Sequence, residues 1–469
     1  MRVSVGHEEV GQTAVMREPR PRPLPRGPLA WMGVYRDLAN KPIDTFFRFA
    51  VGSDRALLNI GTRRMLLVSH PDDVAEVLVN QNRRFHKGRA LRLMHRVLGD
   101  GLLTSEDDFW RRQRRLAQPA FHRQRVAQYG EAILEVTERQ LSEWDDGQER
   151  DVARDMTRLG LSVAGTCLFG MEVGDQADLV RTNLAAAMRY GNRVIKAIWL
   201  PPRWMPSPGR RRFEEAAGHL DQVVFDIIDR RRRAAQDGVV PPDDLLALLM
   251  AARDDSGHPM TDQQLRDESM TLLLAGHETS ANALSWTFYL LDRHPEVARR
   301  LQQELDHVMG GEPLSSERVG QLPYLAAVVS EVLRLYPPVW LMVRESTEPF
   351  HLGAETYPVG LQVLISPFVV QHDARWFPDP ERFLPERWLD EAVPERPSLA
   401  YLPFGAGPRL CIGRPFALLE ISLVLATVLS RWELARPDPA PVCADPLITL
   451  RPRGGPGGRD GLLMTVRRR

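Results

Sequence analysis

The chain has 469 residues, 43% of them hydrophobic, and its 61 basic residues balance 61 acidic residues. This length permits a large buried core, and the absence of net charge gives no electrostatic reason to expect nucleic acid as a partner. The three cysteines, Cys167, Cys411 and Cys443, are too few and too scattered for a disulfide framework, which favours a reducing compartment. Together these properties indicate a globular cytoplasmic enzyme.

The beginning of the chain is expected to be a flexible leader over residues 1–27. Proline and arginine alternate from Pro19 to Pro23, and the apolar core of a signal peptide is missing. No run of about 18 or more apolar residues occurs in the chain, so the sequence predicts no transmembrane anchor. Because no linker composition interrupts residues 28–469, one domain is expected there.

Apolar residues at helical spacing predict a mainly α fold from Asp72 onwards. The predicted helices include 72–79, 123–144, 179–198, 212–233 and 243–252. Extended segments with turn residues between them are predicted at 56–68 and 343–365. The expected fold class is therefore mainly α with small β-sheets.

A longer helix is predicted to begin at a capping box formed by Thr261 and Gln264 and to end before Pro295. At about 1.5 Å per residue, its length is roughly 45–50 Å. Its apolar middle is interrupted by the polar run 275–282, which contains a glycine and an ionisable residue. Such a glycine costs about 1 kcal/mol relative to alanine, and a buried ionisable group must be paired.

Two interpretations of this polar run are open. In a purely structural one, Thr279 bonds the carbonyl of Ala275 one turn back, and Glu278 finds a buried partner. In a functional one, the run is an ionisable patch that serves chemistry. Residues on the helix alone do not separate these two interpretations.

Cys411 lies in the glycine-rich run Phe404–Gly413. Glycines on both sides allow backbone N–H groups to turn towards the sulfur, and Arg409 places a cation nearby. Residues 415–421 read as a helix with proline in its first turn, so the cysteine faces a positive helix end. A lone cysteine is usually a small buried hydrophobic residue, whereas this setting favours a thiolate ligand.

The pattern F-x-x-G-x-R-x-C-x-G over residues 404–413 closely resembles the heme-ligand loop of the cytochrome P-450 family. The resemblance covers the chain from about Leu29 to its end and implies the family's triangular helical heme domain. It implies heme b as the cofactor, with Cys411 as the axial thiolate and metal ligand. Phe404, Gly405 and Gly413 would be the loop residues that surround the cofactor.

The run Ala275-Gly276-x-Glu278-Thr279 resembles the distal-helix motif of the same family. The resemblance implies that Ala275 and Gly276 open a groove for dioxygen. The Thr279 hydroxyl would deliver protons to this groove, and Glu278 would link it to solvent. These four residues are the expected catalytic residues.

Glu331 and Arg334 lie on one face of a helix predicted over residues 322–335. With Arg382 in the downstream run 380–383, they resemble the family's Glu-Arg-Arg network. The resemblance implies a structural role for all three, since a buried carboxylate shared by two guanidinium groups is geometrically well matched.

Four residues match the family's partners for the heme propionates: Trp110, Arg114, Arg344 and Arg409. Trp110 and Arg114 lie one helical turn apart and could face the same porphyrin edge. Lys87 is a further candidate. For the neighbouring Arg111, Arg112 and Arg115, a basic surface helix remains the expectation, and with Arg414 they would present a positive face to an acidic electron donor.

The resemblance implies a substrate pocket lined by apolar side chains: Leu91, Leu93, Met94, Leu273, Leu274, Val339, Trp340 and Leu341. Such a pocket favours a fatty acid, a terpenoid or a carotenoid. The apolar connection 196–208 is consistent either with an access lid that also contacts membrane lipid or with ordinary loop packing. Because no flavin domain follows the heme loop, electrons are expected from a separate ferredoxin and its NAD(P)H-dependent reductase.

The expected function is a heme monooxygenase that uses dioxygen to hydroxylate or epoxidise a hydrophobic small molecule. A heme-thiolate peroxygenase or isomerase is the alternative, but neither would need Glu278 and Thr279. A non-enzymatic heme sensor is a third reading, and it predicts no substrate cavity.

Overall fold

The structure is a computed structural model that describes residues 30–60, 63–92, 94–170, 175–196, 207–239, 244–389, 395–438, 440–454 and 461–469. The predicted leader, Leu93 and most of the apolar connection 196–208 lie outside the described residues. The described chain is mainly α with small mixed sheets, as the sequence predicts.

Helices account for most of the described first half of the chain. They are α1 Ala30–Asn40, α2 Pro42–Ala50, α3 Pro71–Ala75, α4 Arg89–Arg92, α5 His95–Leu98, α6 Asp107–Ala117, α7 Arg123–Leu141, α8 Val152–Phe169, α9 Asp175–Lys196 and α10 Pro208–Gln236. The helix predicted at 72–79 is α3 continued by a wider π-helical turn, Glu76–Asn80.

The second half contains the long helix and the helix that follows the cysteine. These helices are α11 Leu245–Ala251, α12 Asp262–Arg293, α13 Pro295–Met309, α14 Ser316–Val319, α15 Pro323–Leu335, α16 Pro367–Gln371 and α17 Arg414–Leu429. The strands are β1 Arg55–Ile60, β2 Arg63–Val68, β3 Phe85–Lys87, β4 Gln148–Asp151, β5 Met342–Ser346, β6 Phe350–Leu352, β7 Glu355–Tyr357, β8 Gln362–Ile365, β9 Trp432–Ala435, β10 Cys443–Pro446, β11 Leu450–Gly454 and β12 Gly461–Arg468.

The strands form small sheets beside the helices. One sheet has the order β1-β2-β8-β5-β3, where β2 and β8 run parallel and the other neighbours run antiparallel. A second sheet has the order β10-β11-β12-β4, with β9 also paired to β12. Strands β6 and β7 form a separate hairpin. Sequence separation within these sheets is large, so they bring distant segments of the chain together.

Helix α12 runs through the main hydrophobic core, and its sequence explains its start. The Thr261 side chain accepts from the backbone of Gln264, and the Gln264 side chain accepts from the backbone of Thr261, which completes the predicted capping box. The helix packs closely against α8 at Gly160. A Cβ at Gly160 would lie 2.6 Å from the carbonyl oxygen of His277, so the two backbones approach as only glycine allows.

Candidate active site

The loop before α17 presents Cys411 through two glycines with left-handed backbone. Gly405 has φ 73° and Gly407 has φ 69°. A Cβ at Gly407 would lie 2.1 Å from the carbonyl oxygen of Leu78, so a larger residue would displace this contact. The Cys411 N–H donates to the carbonyl of Phe404 at 3.0 Å, which closes the loop.

The Cys411 side chain keeps an accessible surface although protein surrounds it closely. Burial raises the pKa of the Cys411 thiol, and backbone N–H groups of Gly413 and Arg414 and the charge of Arg114 act in the opposite direction. The helix end and the loop therefore stabilise the thiolate form of Cys411, as the sequence predicts, but burial raises the pKa by more than these groups lower it. A cation bound to the sulfur is the partner that would favour the thiolate.

Ala275 and Gly276 interrupt the buried surface of α12. Their neighbours Leu274 and His277 are buried, whereas Ala275 is exposed and a Cβ at Gly276 would meet no atom within 4 Å. Accessible surface in the middle of a core helix indicates an internal space beside it. The purely structural interpretation of the polar run does not explain this accessible surface at Ala275 and Gly276.

The two polar side chains of the run are both hydrogen bonded. Thr279 Oγ1 donates to the carbonyl of Ala275 at 2.8 Å, and Glu278 Oε1 accepts from Thr449 Oγ1 at 2.8 Å. Both contacts were expected on the structural interpretation, and both leave the side chains half-buried rather than sealed. The next residue, Ser280, donates to Glu420 Oε2 at 2.5 Å and thereby joins α12 to α17.

Three of the predicted propionate partners are cations in surroundings that disfavour their charge. Burial lowers the pKa of Arg344 to about 10, and the nearby charge of Arg409 acts in the same direction. Burial likewise lowers the pKa of Arg409 and that of Arg114. Arg114 has no hydrogen bond or ion pair to any residue that the structure describes. Arg114 and Arg344 form no ion pair within the described residues, so a group with two carboxylates would give these two guanidinium groups the anionic partner that their burial favours.

Arg409 has protein partners that the sequence did not indicate. It pairs with Glu106, whose other oxygen accepts from the Lys87 backbone N–H at 2.7 Å. Its guanidinium also lies over the Trp110 ring, 4.4 Å from the centroid. Glu106 was missed because only its position just before α6 could have signalled it. Any propionate at Arg409 must therefore share this guanidinium with Glu106.

Lys87 is buried next to the same cluster. Its ammonium group donates to the carbonyls of Leu102 and Ser105 at 2.9 and 2.7 Å. Burial lowers the pKa of Lys87 to about 7, and the charge of Arg409 adds to this effect. A carboxylate of the cofactor nearby would favour the charged ammonium, which keeps Lys87 a candidate.

The network around Glu331 differs from the predicted one in its third member. Arg334 donates to both carboxylate oxygens at 2.8 Å, and Arg387 Nε donates to Oε1 at 3.0 Å. The prediction of Arg382 is wrong: its side chain is exposed and pairs with Asp379, and only its backbone carbonyl accepts from Arg334. The physical reason is that the turn after Phe383 carries Arg387, not Arg382, back to the buried carboxylate.

The predicted pocket residues fall into two hydrophobic clusters. Met94, Leu273 and Leu274 belong to the main core around α12. Trp340 and Leu341 pack instead with Phe46 and its neighbours near β1, and Val339 is exposed. Leu91 is half-buried, and Leu93 lies outside the described residues. The structure therefore places Met94 and the α12 leucines in the main core, and Trp340 and Leu341 in a different cluster.

The basic residues of α6 are not free positive charges. Arg111 pairs with Asp108, Arg112 with Asp254, and Arg115 with Asp255. The expected positive face is therefore weaker on this helix than the sequence indicated. Arg414 is exposed and forms no ion pair within the described chain, although its guanidinium lies over the Phe404 ring.

Comparison with known proteins places this geometry in a family. The family model described as Cytochrome P450 matches residues 21–454. Cyclooctatin synthase from Streptomyces melanosporofaciens is 38% identical over 86% of this chain and 87% of its own length, and cyclooctat-9-en-7-ol 5-monooxygenase from the same organism is 35% identical over 88% and 89%. Pentalenene oxygenase from Streptomyces avermitilis is 31% identical over 86% and 89%.

Solved structures agree with these relatives. The crystal structure of the cytochrome P450DA heme domain superposes with a TM-score of 0.81 at 26% identity, covering 96% of this chain and 97% of that one. Within the residues that the structure describes, no helix has both the length and the apolarity to span a membrane. Family model, relatives and fold coincide with the accessible Cys411 and the interrupted helix α12. The chain belongs to the cytochrome P450 family.

Proposed function

We propose that this cytochrome P450 monooxygenase hydroxylates or epoxidises a terpenoid-like hydrophobic molecule in the cytoplasm, with heme b as its cofactor and electrons from a separate ferredoxin and reductase. The observation that carries the proposal is the accessible thiol of Cys411 in a chain whose core helix α12 opens at Ala275 and Gly276. The family and its named monooxygenase relatives carry the reaction class, while the substrate, the electron donor, heme b and the cytoplasmic location belong to the proposal.

The residues present fit a heme. Cys411 would bind the iron, and Arg114, Arg344 and Arg409 would hold the two propionates, because burial lowers the pKa of each guanidinium and a nearby anion would stabilise its charge. Arg409 would share its guanidinium between a propionate and Glu106. Trp110 packs beneath Arg409 and fixes its plane. When bound, the heme iron supplies the activation of dioxygen and the transfer of one oxygen atom.

The protein's own part in the reaction is to deliver protons in a dry space. Thr279 donates its hydroxyl proton to the Ala275 carbonyl, and rotation about its side chain would turn that proton towards the space beside Gly276. Glu278 precedes it on the helix and is half-buried, so its carboxylate can exchange protons with solvent. Together they would move protons inward while the leucines of α12 keep bulk water out.

Apolar walls support a hydrophobic substrate. Leu273 and Leu274 directly precede the opening at Ala275 on α12, and Met94 belongs to the same apolar core, so a pocket there would have thioether and alkyl walls. Relatives named as a pentalenene oxygenase and as a cyclooctat-9-en-7-ol monooxygenase support a terpenoid rather than a fatty acid. Hydrophobic walls bind such a ring system without demanding a particular polar group.

The proposed ferredoxin site lies beside the cysteine loop. A groove of about 540 Å³ is lined by Arg115, Gln118, Pro119 and His122. The adjacent Phe121 lies 3.9 Å from the position of a Cβ at Gly413, so this groove borders the cysteine loop. Arg414 offers an exposed positive charge on the same loop, which suits an acidic donor.

Two measurements test this proposal. Purified holoprotein is mixed with terpenoid hydrocarbons, terpenoid alcohols and fatty acids, and binding is followed by the spin-state shift of the heme. Each binder is then incubated with a surrogate ferredoxin pair, NAD(P)H and isotopically labelled dioxygen. We expect a terpenoid to bind and its product to carry one labelled oxygen atom. Exclusive binding of fatty acids would overturn the substrate class, and a product without label would contradict the monooxygenase reaction.

A further inference from the structure

A short turn between β10 and β11 reaches the acidic residue of α12. Thr449 ends this turn, and its side chain is 5% exposed. Its hydroxyl donates to Glu278 Oε1 at 2.8 Å, and Asn282 Nδ2 donates to the same hydroxyl oxygen at 3.1 Å. Thr449 is distant from α12 in sequence, so nothing in the helix itself requires this contact.

The direction of these two hydrogen bonds is fixed by chemistry. A threonine hydroxyl has one proton and two acceptor lone pairs. Because Asn282 donates to the oxygen, the Thr449 proton is left to donate to Glu278 Oε1. Glu278 and Asn282 are one helical turn apart, so Thr449 bridges them on one face of α12. The bridge occupies Oε1 alone, and Oε2 accepts no hydrogen bond from the residues that the structure describes.

The turn is anchored from outside α12. Ile448 N–H donates to Asn192 Oδ1 on α9 at 2.8 Å. Trp340 Nε1 donates to the carbonyl of Leu447 at 2.8 Å. Both anchors hold the backbone next to Thr449, so the hydroxyl is presented to Glu278 by a turn with little freedom of its own.

We infer that Thr449 is a positioning residue for the proton relay: it holds the Glu278 carboxylate in one rotamer, with Oε1 occupied and Oε2 free to exchange protons. This inference rests on the proposed role of Glu278. Thr449 keeps its own proton throughout, so it does not act as an acid or base. Without its hydroxyl, the Glu278 side chain regains other rotamers, Oε2 no longer keeps one position, and proton delivery slows.

The test compares Thr449→Val, which removes the hydroxyl at nearly constant shape, with Thr449→Ser, which keeps it. We expect Thr449→Val to lower the fraction of NAD(P)H electrons recovered in product by about threefold or more, with peroxide released instead. Thr449→Ser should recover most of the coupling. Substrate affinity, measured by the spin-state shift, should change by less than about twofold in both. The control is Thr287→Val, since Thr287 is a buried residue of α12 whose hydroxyl donates to the carbonyl of Ala283 within the same helix.

A second readout does not depend on turnover. The infrared band of the Glu278 carboxylate is assigned by difference against Glu278→Gln and then measured in the Thr449 variants. We expect Thr449→Val to shift this band and Thr449→Ser to leave it nearly in place, because only valine removes the donor. If Thr449→Val yields no holoprotein, Thr449→Ala takes its place in both measurements.

The outcomes distinguish the proposed role of Glu278 from the inferred role of Thr449. Full coupling in Glu278→Gln would overturn the proposed relay, and this inference with it. Loss of coupling in Glu278→Gln, together with normal coupling and an unshifted band in Thr449→Val, would overturn the role of Thr449 alone. A loss of coupling that Thr449→Ser does not rescue would show that packing, not the hydroxyl, matters at this position.

Discussion

Glu331 is a completely buried carboxylate that is surrounded by donors. Arg334 and Arg387 bring two guanidinium groups to it, Trp388 donates its indole N–H at 2.8 Å, and Leu384 donates its backbone N–H at 3.0 Å. A buried charge is stable only when its lone pairs are satisfied in this way. Removing one guanidinium would therefore leave an uncompensated charge in the core, which costs more than the loss of a contact.

The first prediction compares two arginines of similar sequence context. We expect Arg387→Leu to destabilise the protein by about 3–5 kcal/mol and to abolish most heme incorporation. Arg382→Leu should change the free energy of unfolding by no more than about 0.5 kcal/mol and leave heme incorporation unchanged, because the Arg382 side chain is exposed. The measurements are bound heme per polypeptide and denaturant unfolding. Equal losses in the two variants would contradict the network described here.

The second prediction concerns the hydroxyl of Thr279. We expect Thr279→Ala to keep consuming NAD(P)H while product falls about tenfold or more and peroxide is released, since protons no longer arrive in step. Product, NAD(P)H and peroxide are measured in one reaction. Thr287→Ala, which removes another hydroxyl of the same helix, is the control. Normal product yield in Thr279→Ala would exclude Thr279 from the relay.

Two similar runs after Glu331 explain why the sequence predicted the wrong arginine. The chain contains Pro380-Glu381-Arg382-Phe383 and, two residues later, Pro385-Glu386-Arg387-Trp388. Both runs offer an arginine at a plausible distance from Glu331, so spacing cannot choose between them. The tertiary structure selects Arg387, because a turn buries its side chain against Glu331 and lets Trp388 donate to the same carboxylate.

At the scale of elements, α12 and α17 are joined by a buried pair. Ser280 Oγ donates to Glu420 Oε2 at 2.5 Å, and Glu420 is only 1% exposed. Burial raises the pKa of Glu420 from 4.5 to about 8, and the hydrogen bond from Ser280 acts in the opposite direction. The folded protein thus holds this proton more tightly than the unfolded chain does.

The third prediction is a pH dependence of stability with a definite sign. The contribution of the Glu420 proton is complete below its unfolded pKa of 4.5 and is lost as the pH rises through about 8. Over this window it lowers the free energy of unfolding by up to about 1.4 kcal/mol per pH unit. We expect Glu420→Gln to flatten this decline, as measured by denaturant unfolding between pH 5 and 8. An unchanged slope would show that Glu420 is ionised in the folded protein.

Local patterns predicted whole elements well. The capping box located the start of α12, and the glycine-rich run located the cysteine loop, because both depend on residues close in sequence. Thr449 and Glu106 escaped prediction because each meets its partner across a long stretch of chain. Pairing of β10 with β11 positions Thr449, and the start of α6 positions Glu106. No periodicity in the sequence predicts either contact.

For the whole molecule, the balance of charge near the cysteine loop bears on the proposed docking of an acidic electron donor. The arginines of α6 are largely neutralised by Asp108, Asp254 and Asp255. Arg414 keeps its charge exposed at the start of α17. If an acidic donor docks here, its attraction would therefore depend on few residues, with Arg414 among them.

The fourth prediction follows from that dependence. We expect Arg414→Glu to slow reduction by an acidic ferredoxin about tenfold at low salt, with a smaller effect at high salt, because the charge acts over a screened distance. Stopped-flow reduction of the heme is the measurement. Arg299→Glu, an exposed arginine on α13, is the control. Similar slowing in both variants would place the donor elsewhere.

The close approach of α8 and α12 makes the backbone position of α12 sensitive to a residue remote in sequence. Any side chain at Gly160 would press on the backbone of His277, which lies between Gly276 and Glu278. A methyl group there would displace the segment of α12 that holds Gly276 and Glu278, although position 160 itself is not among the proposed site residues. Laboratory evolution of this enzyme that varies only cavity-lining positions would thus miss a position that can shift α12. Relatives with a larger residue at position 160 are expected to carry compensating changes along α12.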